Sequence, residues 1–450
     1  MLKNLLKRSP LYSFNPGAVL CIAFGFWLIC FFSFLQGRYF DSDAISYYEH
    51  IKFFVDNLAR GVYPLWDPVW NSGAPNEFFL RRFGSFNPFY LFVLVFYKCG
   101  IPFTSAYLCF LVSYYFLGIV GFYKLSQKIF ADNFISLAAA LILLFSSLGT
   151  RLFDSYLILT VTPLLWFFYF LISFIQKKTA PFFVGMIWTT MILVTTYIPF
   201  YFIIISGTFL LTLLIFYPVK FFQNITGSFS FFRKEKKAAC LCLAALCLAL
   251  AQGAIFFRES KQGGFSLPGR YATSPQQHVI EVGIKTVTDW AILEDVMYST
   301  AYQDLKRFKF AVIYWPVFFY LVLGLGLLTR LDKKLLFLFV WGVGLFLAVF
   351  PYAPIYPFLY KHALVFKYFR NLHFFFWFAL LPIFVLFVSR QLQNFLKLKT
   401  ESPQMRRLVY FFIGALHLAI LIYFAFRGDT LVSTYLTLIF SFLFFISNYP

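Results

Sequence analysis

The sequence predicts an all-α polytopic membrane protein, a bundle of about twelve transmembrane helices. Three observations predict it: the composition, the length of the apolar runs, and the side on which charge collects. Hydrophobic residues make up 61% of the 450, aromatic residues 24% and charged residues 12%, with a mean hydropathy of +0.77. Soluble domains carry about 25% charged residues. A chain with about half that share cannot cover a globule with polar surface, so lipid is the solvent for most of it and the bilayer its first partner. Because one span absorbs about 20 residues, the whole of 1–450 fits a single membrane domain.

Apolar runs of that length fall near 17–36, 101–123, 133–149, 157–175, 180–197, 198–217, 238–257, 310–329, 335–351, 372–389, 408–426 and 430–447. The first follows Lys3, Lys7 and Arg8, yet it is longer than a signal-peptide core and no small-residue cleavage site follows it, so an anchor is expected. The stretch from Pro88 to Tyr97 is apolar but too short to cross, which predicts a re-entrant or interfacial piece leading into the second span.

Charge tests the spans independently. With the N-terminus inside, the inner loops hold Lys124 and Lys128, Lys177 and Lys178, a cluster from Lys220 to Lys237, Arg330 to Lys334, and Arg390 to Arg407. Fourteen of the 18 acidic residues fall on the other side, six of them in an outer loop at 37–87 and six in another at 258–309. Only Asp132, Glu235, Asp332 and Glu401 remain inside. This arrangement puts both termini in the cytoplasm and any carboxylate chemistry on the non-cytoplasmic face.

In a soluble chain the formal charge of +20 would suggest nucleic acid. No basic and aromatic surface stretch lies away from the apolar runs, so nucleic acid is not an expected partner. The seven cysteines sit in or beside apolar runs without metal-ligand spacing, and Cys240 and Cys242, two apart on a helix, face different directions. The Asn224-Ile225-Thr226 sequon falls in an inner loop and is read as chance.

The first outer loop is the most informative segment. Asp41 and Asp43 stand at the membrane exit, ahead of a juxtamembrane amphipathic helix with Ile45, Tyr48, Val55 and Leu58 as its apolar stripe and Glu49, Lys52, Asp56 and Arg60 as its polar positions. Beyond it, Gly61-Val62-Tyr63-Pro64-Leu65-Trp66-Asp67-Pro68 and Asn71-Ser72-Gly73-Ala74-Pro75 carry the turn residues of a folded loop, with Trp66 and Trp70 suited to headgroup level. The second outer loop, at 258–309, is long enough to cover a site, and capping of the bundle is the reading slightly preferred.

The Asp just past the first span, the Tyr-rich helix, the run from Gly61 to Pro75 and the Asn87-Pro88-Phe89-Tyr90-Leu91-Phe92 element together resemble the bacterial YfhO-like membrane proteins of the C-type glycosyltransferase (GT-C) superfamily. Phe366-Lys367-Tyr368-Phe369-Arg370-Asn371, ahead of a later span, is similar to a Phe-Arg element of the same proteins. The resemblance implies a GT-C-like bundle in a bacterial inner membrane. It also implies transfer of a sugar from a polyprenyl-phosphate donor to a glycan, lipid or protein acceptor on the outer face, with Asp43 matching the catalytic carboxylate and Asp41 close second. Tyr47, Tyr48, Glu49, His50, Pro64, Trp66, Asp67 and Gly73 would support the loop.

The chemistry agrees with that implication: a hydroxyl or amide nucleophile needs a base, and a departing lipid phosphate needs cations. Arg81, Arg82, Lys361, Lys367 and Arg370 are the outer cations near the membrane. Asp41 and Asp43 leave open a shared divalent metal, Mg or Mn; no cofactor is otherwise implied.

Plainer readings stand beside these. An Asp ahead of a helical pattern is often an N-cap, Arg81 and Arg82 can snorkel to headgroups, His50 suits a helix surface, and Arg151 with Asp154 reads as a structural ion pair. Two other functions share the topology: a transporter or flippase for a lipid-linked or anionic glycan, and a non-catalytic accessory subunit. The former places ionisable groups at the bilayer midplane, whereas here the apolar runs are almost free of charge.

Overall fold

The computed structural model describes residues 15–35, 43–64, 66–68, 74–75, 87, 89–150, 155–195, 199–262, 337, 340–342, 344, 355–362 and 372–398. Their order is α1 (Pro16–Leu35), α2 (Asp43–Ala59), β1 (Trp66–Asp67), β2 (Ala74–Pro75), α3 (Tyr90–Lys98), α4 (Phe103–Phe130), α5 (Asn133–Leu144), α6 (Ser147–Thr150), α7 (Ser155–Lys177), α8 (Ala180–Thr195), α9 (Pro199–Phe216), α10 (Pro218–Lys234), α11 (Lys236–Gln262), α12 (Tyr356–His362) and α13 (Leu372–Leu398). The described residues are thus mostly helical, with apolar helices of the kind an all-α membrane protein uses.

Helices stand where the apolar runs from 17 to 36, from 101 to 257 and from 372 to 389 lie. By length and composition α4 and, within α7, Ile158–Lys177 are able to cross a bilayer; α9 with α10 would add a third if that bent pair were one span. Shorter apolar stretches occupy α1, α5 and α8. The expected spans at 310–329, 408–426 and 430–447 lie outside the described residues, as does most of 335–351. α11 continues to Gln262, into the segment from 258 expected as a second outer loop.

The packing centres on α4. Its partner α5 runs antiparallel, since Tyr115 donates to the Leu144 carbonyl at 2.8 Å near one end and Gln127 Nε2 donates to Asn133 Oδ1 at 2.8 Å near the other. A two-residue turn joins them: Ala131 adopts φ 52°, and Asp132 Oδ1 accepts from the Phe134 and Ile135 amides at 2.9 and 3.2 Å. Asp132, one of the few acids on the basic side, is therefore an N-cap.

α7 runs parallel to α4. Thr162 donates to the Tyr114 carbonyl at 3.1 Å, and Trp166 Nε1 to the Leu117 carbonyl at 2.9 Å. Glycines permit this approach: a Cβ on Gly118 would come 2.7 Å from Thr162 Oγ1, and one on Gly121 2.7 Å from Trp166 Nε1. Small residues and hydroxyl or indole donors are how helices hold one another where lipid removes the hydrophobic drive. α8 returns antiparallel to α7, with Phe174 on Phe183 at 5.5 Å and the Phe170 ring over Gly185.

The helix ends sort into two groups. At one end Lys128 stands 5.4 Å from the Phe182 ring, and Arg390 5.2 Å from the Phe130 ring, while Gln393 Nε2 donates to the Phe130 carbonyl at 3.2 Å. This end gathers the tail of α4, the starts of α5 and α8, and the later half of α13, all flanked by basic residues. The opposite end gathers the start of α4 with α2 and α3.

Candidate functional site

α2 begins at Asp43, as the sequence predicts. The face it buries overlaps the expected one at Tyr48, Val55 and Leu58 and is turned away from Ile45. Ile45 is 43% exposed, whereas Tyr47, His50, Ile51, Phe54 and Val55 are buried. His50, expected on the helix surface, is 4% exposed and lies inside the packing. Aromatic neighbours select this face: Phe54 meets Tyr63 and Tyr90 edge-on at 6.1 and 6.4 Å, and Tyr90 packs on Phe110 of α4 at 5.1 Å.

Tyr48 fixes α2 to the start of α4. Its hydroxyl shares a 2.7 Å hydrogen bond with Thr104 Oγ1, and its ring contacts Phe103 and Tyr107 edge-on at 5.2 and 5.5 Å. Sequence reasoning missed Thr104 and Tyr107. The signal was present in Phe103, Tyr107, Phe110 and Tyr114, an aromatic row at i, i+4, i+7 and i+11 that presents one face at the head of a span.

The polar edge of α2 carries the Lys52–Asp56 ion pair at 2.7 Å. Its hydrogen bond to Asp56 holds the Lys52 ammonium pKa above the ordinary lysine value, and the same carboxylate raises the Tyr97 phenol across on α3. Glu49 is exposed. At the end of α2, Gly61 takes φ 76°, and its amide donates to the Leu58 carbonyl at 3.0 Å, turning the chain toward Pro64, which is buried.

The loop beyond is folded where it is described. β1 and β2 form an antiparallel hairpin with Trp66 opposite Pro75 and Asp67 opposite Ala74. Asp67 is 5% exposed, while Trp66 is 56% exposed and free to meet headgroups. Asn87 sets the entry into α3, its Oδ1 accepting from the Phe89 amide at 3.1 Å and its carbonyl from the Tyr90 amide at 3.2 Å. As the sequence anticipates, α3 is too short to cross: nine residues reach about 14 Å. It buries Tyr90 and Val93 and turns Leu91, Phe92, Val95 and Phe96 outward.

Asp41, Gly73, Arg81, Arg82, Lys367 and Arg370 lie outside the described residues, as do Arg151 and Asp154. Asp43 is placed as the first residue of α2 through its backbone. Lys361 is exposed on α12. Among the described residues no group of three or more His, Cys, Asp or Glu is arranged to hold a metal ion.

The arrangement therefore supplies a carboxylate-bearing helix start, clamped by Tyr48, His50 and Phe54 onto the acid-rich end of an apolar bundle. No protein-family model matches the sequence, and no curated protein matches it either.

Proposed function

We propose that this chain is an integral membrane glycosyltransferase, transferring sugar from a polyprenyl-phosphate donor to an acceptor on the face opposite the basic loops. The proposal includes a GT-C-like bundle of about twelve spans in a bacterial inner membrane. The observation that carries it is α2, a helix beginning at a carboxylate and pinned across the head of α4 by the Tyr48–Thr104 bond.

In the proposed step an acceptor hydroxyl or amide attacks the anomeric carbon. The bond from that carbon to the phosphate oxygen breaks with its electron pair on oxygen, and the acceptor proton passes to Asp43. Polyprenyl phosphate departs, its charge balanced by Arg81, Arg82, Lys367 and Arg370. Asp41 serves beside Asp43, and a divalent metal between these two carboxylates stays open.

The test is transfer of radiolabelled sugar from extracted polyprenyl-phosphate donors by the chain reconstituted in liposomes. Asp43→Asn is expected to slow turnover about a hundredfold or more, the usual worth of a positioned base, with a smaller loss for Asp41→Asn. Wild-type turnover in both variants would remove the catalytic claim. Passage of intact donor across the membrane without transfer would select a flippase instead.

A further inference from the structure

The basic end of the molecule carries a second feature, separate from the chemistry proposed at Asp43. Between α9 and α10 the chain bends by 115° at Tyr217, with Pro218 at the first turn of the new helix. α10 is 17 residues long, and nine of them are Lys220, Gln223, Asn224, Thr226, Gly227, Ser228, Ser230, Arg233 and Lys234. A helix so polar is a poor span, and one turned across its predecessor's axis lies along a membrane surface when that predecessor crosses.

At 3.6 residues per turn, α10 divides into three sectors. One faces the bundle: Phe231 is buried against Phe174 of α7 and Phe183 of α8, at ring distances of 5.1 and 6.0 Å. The next is apolar and uncovered, with Phe222 57%, Ile225 38% and Phe229 68% exposed. The third is polar and includes Gln223, Ser230 and Lys234, and Lys178 from the α7–α8 turn reaches across it, its Nζ occupying the space a Cβ on Gly227 would take.

Arg233 falls on the border between the apolar and polar sectors. Beside it runs an open groove of about 540 Å³ lined by Thr226, Phe229, Ser230, Phe232 and Arg233. Thr226 spends its proton on the Phe222 and Gln223 carbonyls, so Arg233 and Ser230 are the donors left facing the groove. The groove thus sets an apolar wall at Phe229 beside donors at Arg233 and Ser230, the pairing that a lipid with an acidic headgroup requires.

We propose that α10 is an anionic-phospholipid binding element, seating on the leaflet next to the basic loops and holding a lipid phosphate at Arg233. Lys220, Lys234 and Lys178 supply the complementary charge, while Phe222, Ile225 and Phe229 enter the acyl boundary. Only Glu235 opposes them nearby in the sequence.

The experiment is native mass spectrometry of the full chain released from detergent, titrated with phosphatidylglycerol or phosphatidylcholine. The wild type is expected to retain phosphatidylglycerol preferentially. The double substitution Arg233→Gln with Lys234→Gln should lower that retention about tenfold, leaving phosphatidylcholine unchanged, since it removes two of the cations that attract the acidic headgroup. Arg233→Lys should recover most of it. Because both substitutions are exposed, they leave the α7–α8–α10 packing untouched, and an unchanged thermal midpoint confirms that the variant is folded. Equal retention of the two lipids by the wild type, or wild-type phosphatidylglycerol retention by the double variant, overturns the proposal. A dimer that Phe222→Ser with Phe229→Ser converts to monomer also overturns it, because a second copy would then be what covers the apolar sector.

Discussion

At the scale of single residues, α2 is held by two polar contacts that do different work. The Tyr48–Thr104 bond joins α2 to the start of α4 across 56 positions of sequence. Tyr48→Phe keeps the ring contacts with Phe103 and Tyr107 and removes only the hydroxyl, so the expected loss is about 1 kcal/mol. Chemical denaturation in detergent measures it, and a double-mutant cycle with Thr104→Val should return a coupling of similar size. The Asp56 cluster acts through pH. Both Lys52 and Tyr97 have pKa values raised above their ordinary 10.5 and 10.0 in the folded chain. A group raised on folding contributes fully below its unfolded pKa and loses that contribution as pH climbs toward the folded one. Thermal stability should therefore be flat up to about pH 10 and decline above it, and Asp56→Asn should flatten the decline because it removes the cause common to both. A midpoint that falls equally in wild type and variant would contradict this account. The Lys52 head is well exposed, so the effect is one of direction and not of large size.

At the scale of elements, the α4–α7 pair rests on close approach. Gly121→Leu would drive a side chain into Trp166 and separate the helices, also straining the Trp166 to Leu117 bond. Overpacking of this kind costs roughly 1–3 kcal/mol, so a clearly lowered thermal midpoint is expected, against a much smaller change for the exposed Gly207→Ala on α9, where a Cβ meets nothing within 4 Å. This level also shows what the sequence could and could not disclose. Helix positions were legible because a bilayer demands long apolar runs, and α1, α4, α5, α7, α8, α9, α11 and α13 stand on eight of them. The buried face of α2 was legible only in part. Of the stripe Ile45, Tyr48, Val55 and Leu58, Val55 is buried and Tyr48 and Leu58 pack on the core, but Ile45 is exposed, and aromatic contacts from α3 and α4 turn the helix to bury Tyr47, His50 and Phe54 as well. Such a choice belongs to tertiary packing, which a local pattern does not encode. α10 was hidden for another reason: its eight polar residues and one glycine read as a basic loop, and only its bend against α9 and its contact with α7 and α8 reveal a helix with three distinct sides.

At the scale of the whole molecule, charge and packing both bear on polarity. Counting charges sends most of the acids to one side and just over half of the lysines and arginines to the other. Packing, which knows nothing of that count, gathers Lys128, Arg390 and the α8 start at one end, and α2, α3 and the start of α4 at the other. Agreement between a compositional rule and side-chain contacts is what a membrane-oriented bundle would produce. It yields a prediction independent of any enzymatic assay. In a variant with all seven native cysteines replaced, Glu49→Cys and Lys234→Cys mark opposite ends, and both native residues are exposed. A membrane-impermeant thiol reagent applied to intact cells should modify the first and spare the second; after permeabilisation it should modify both. The reverse pattern would place Asp43 beside the cytosol, where lipid-linked donors of the outer face are absent, and would end the transferase reading. It would leave the lipid-binding role of α10 standing, because a polybasic interfacial helix needs only an acidic leaflet to meet.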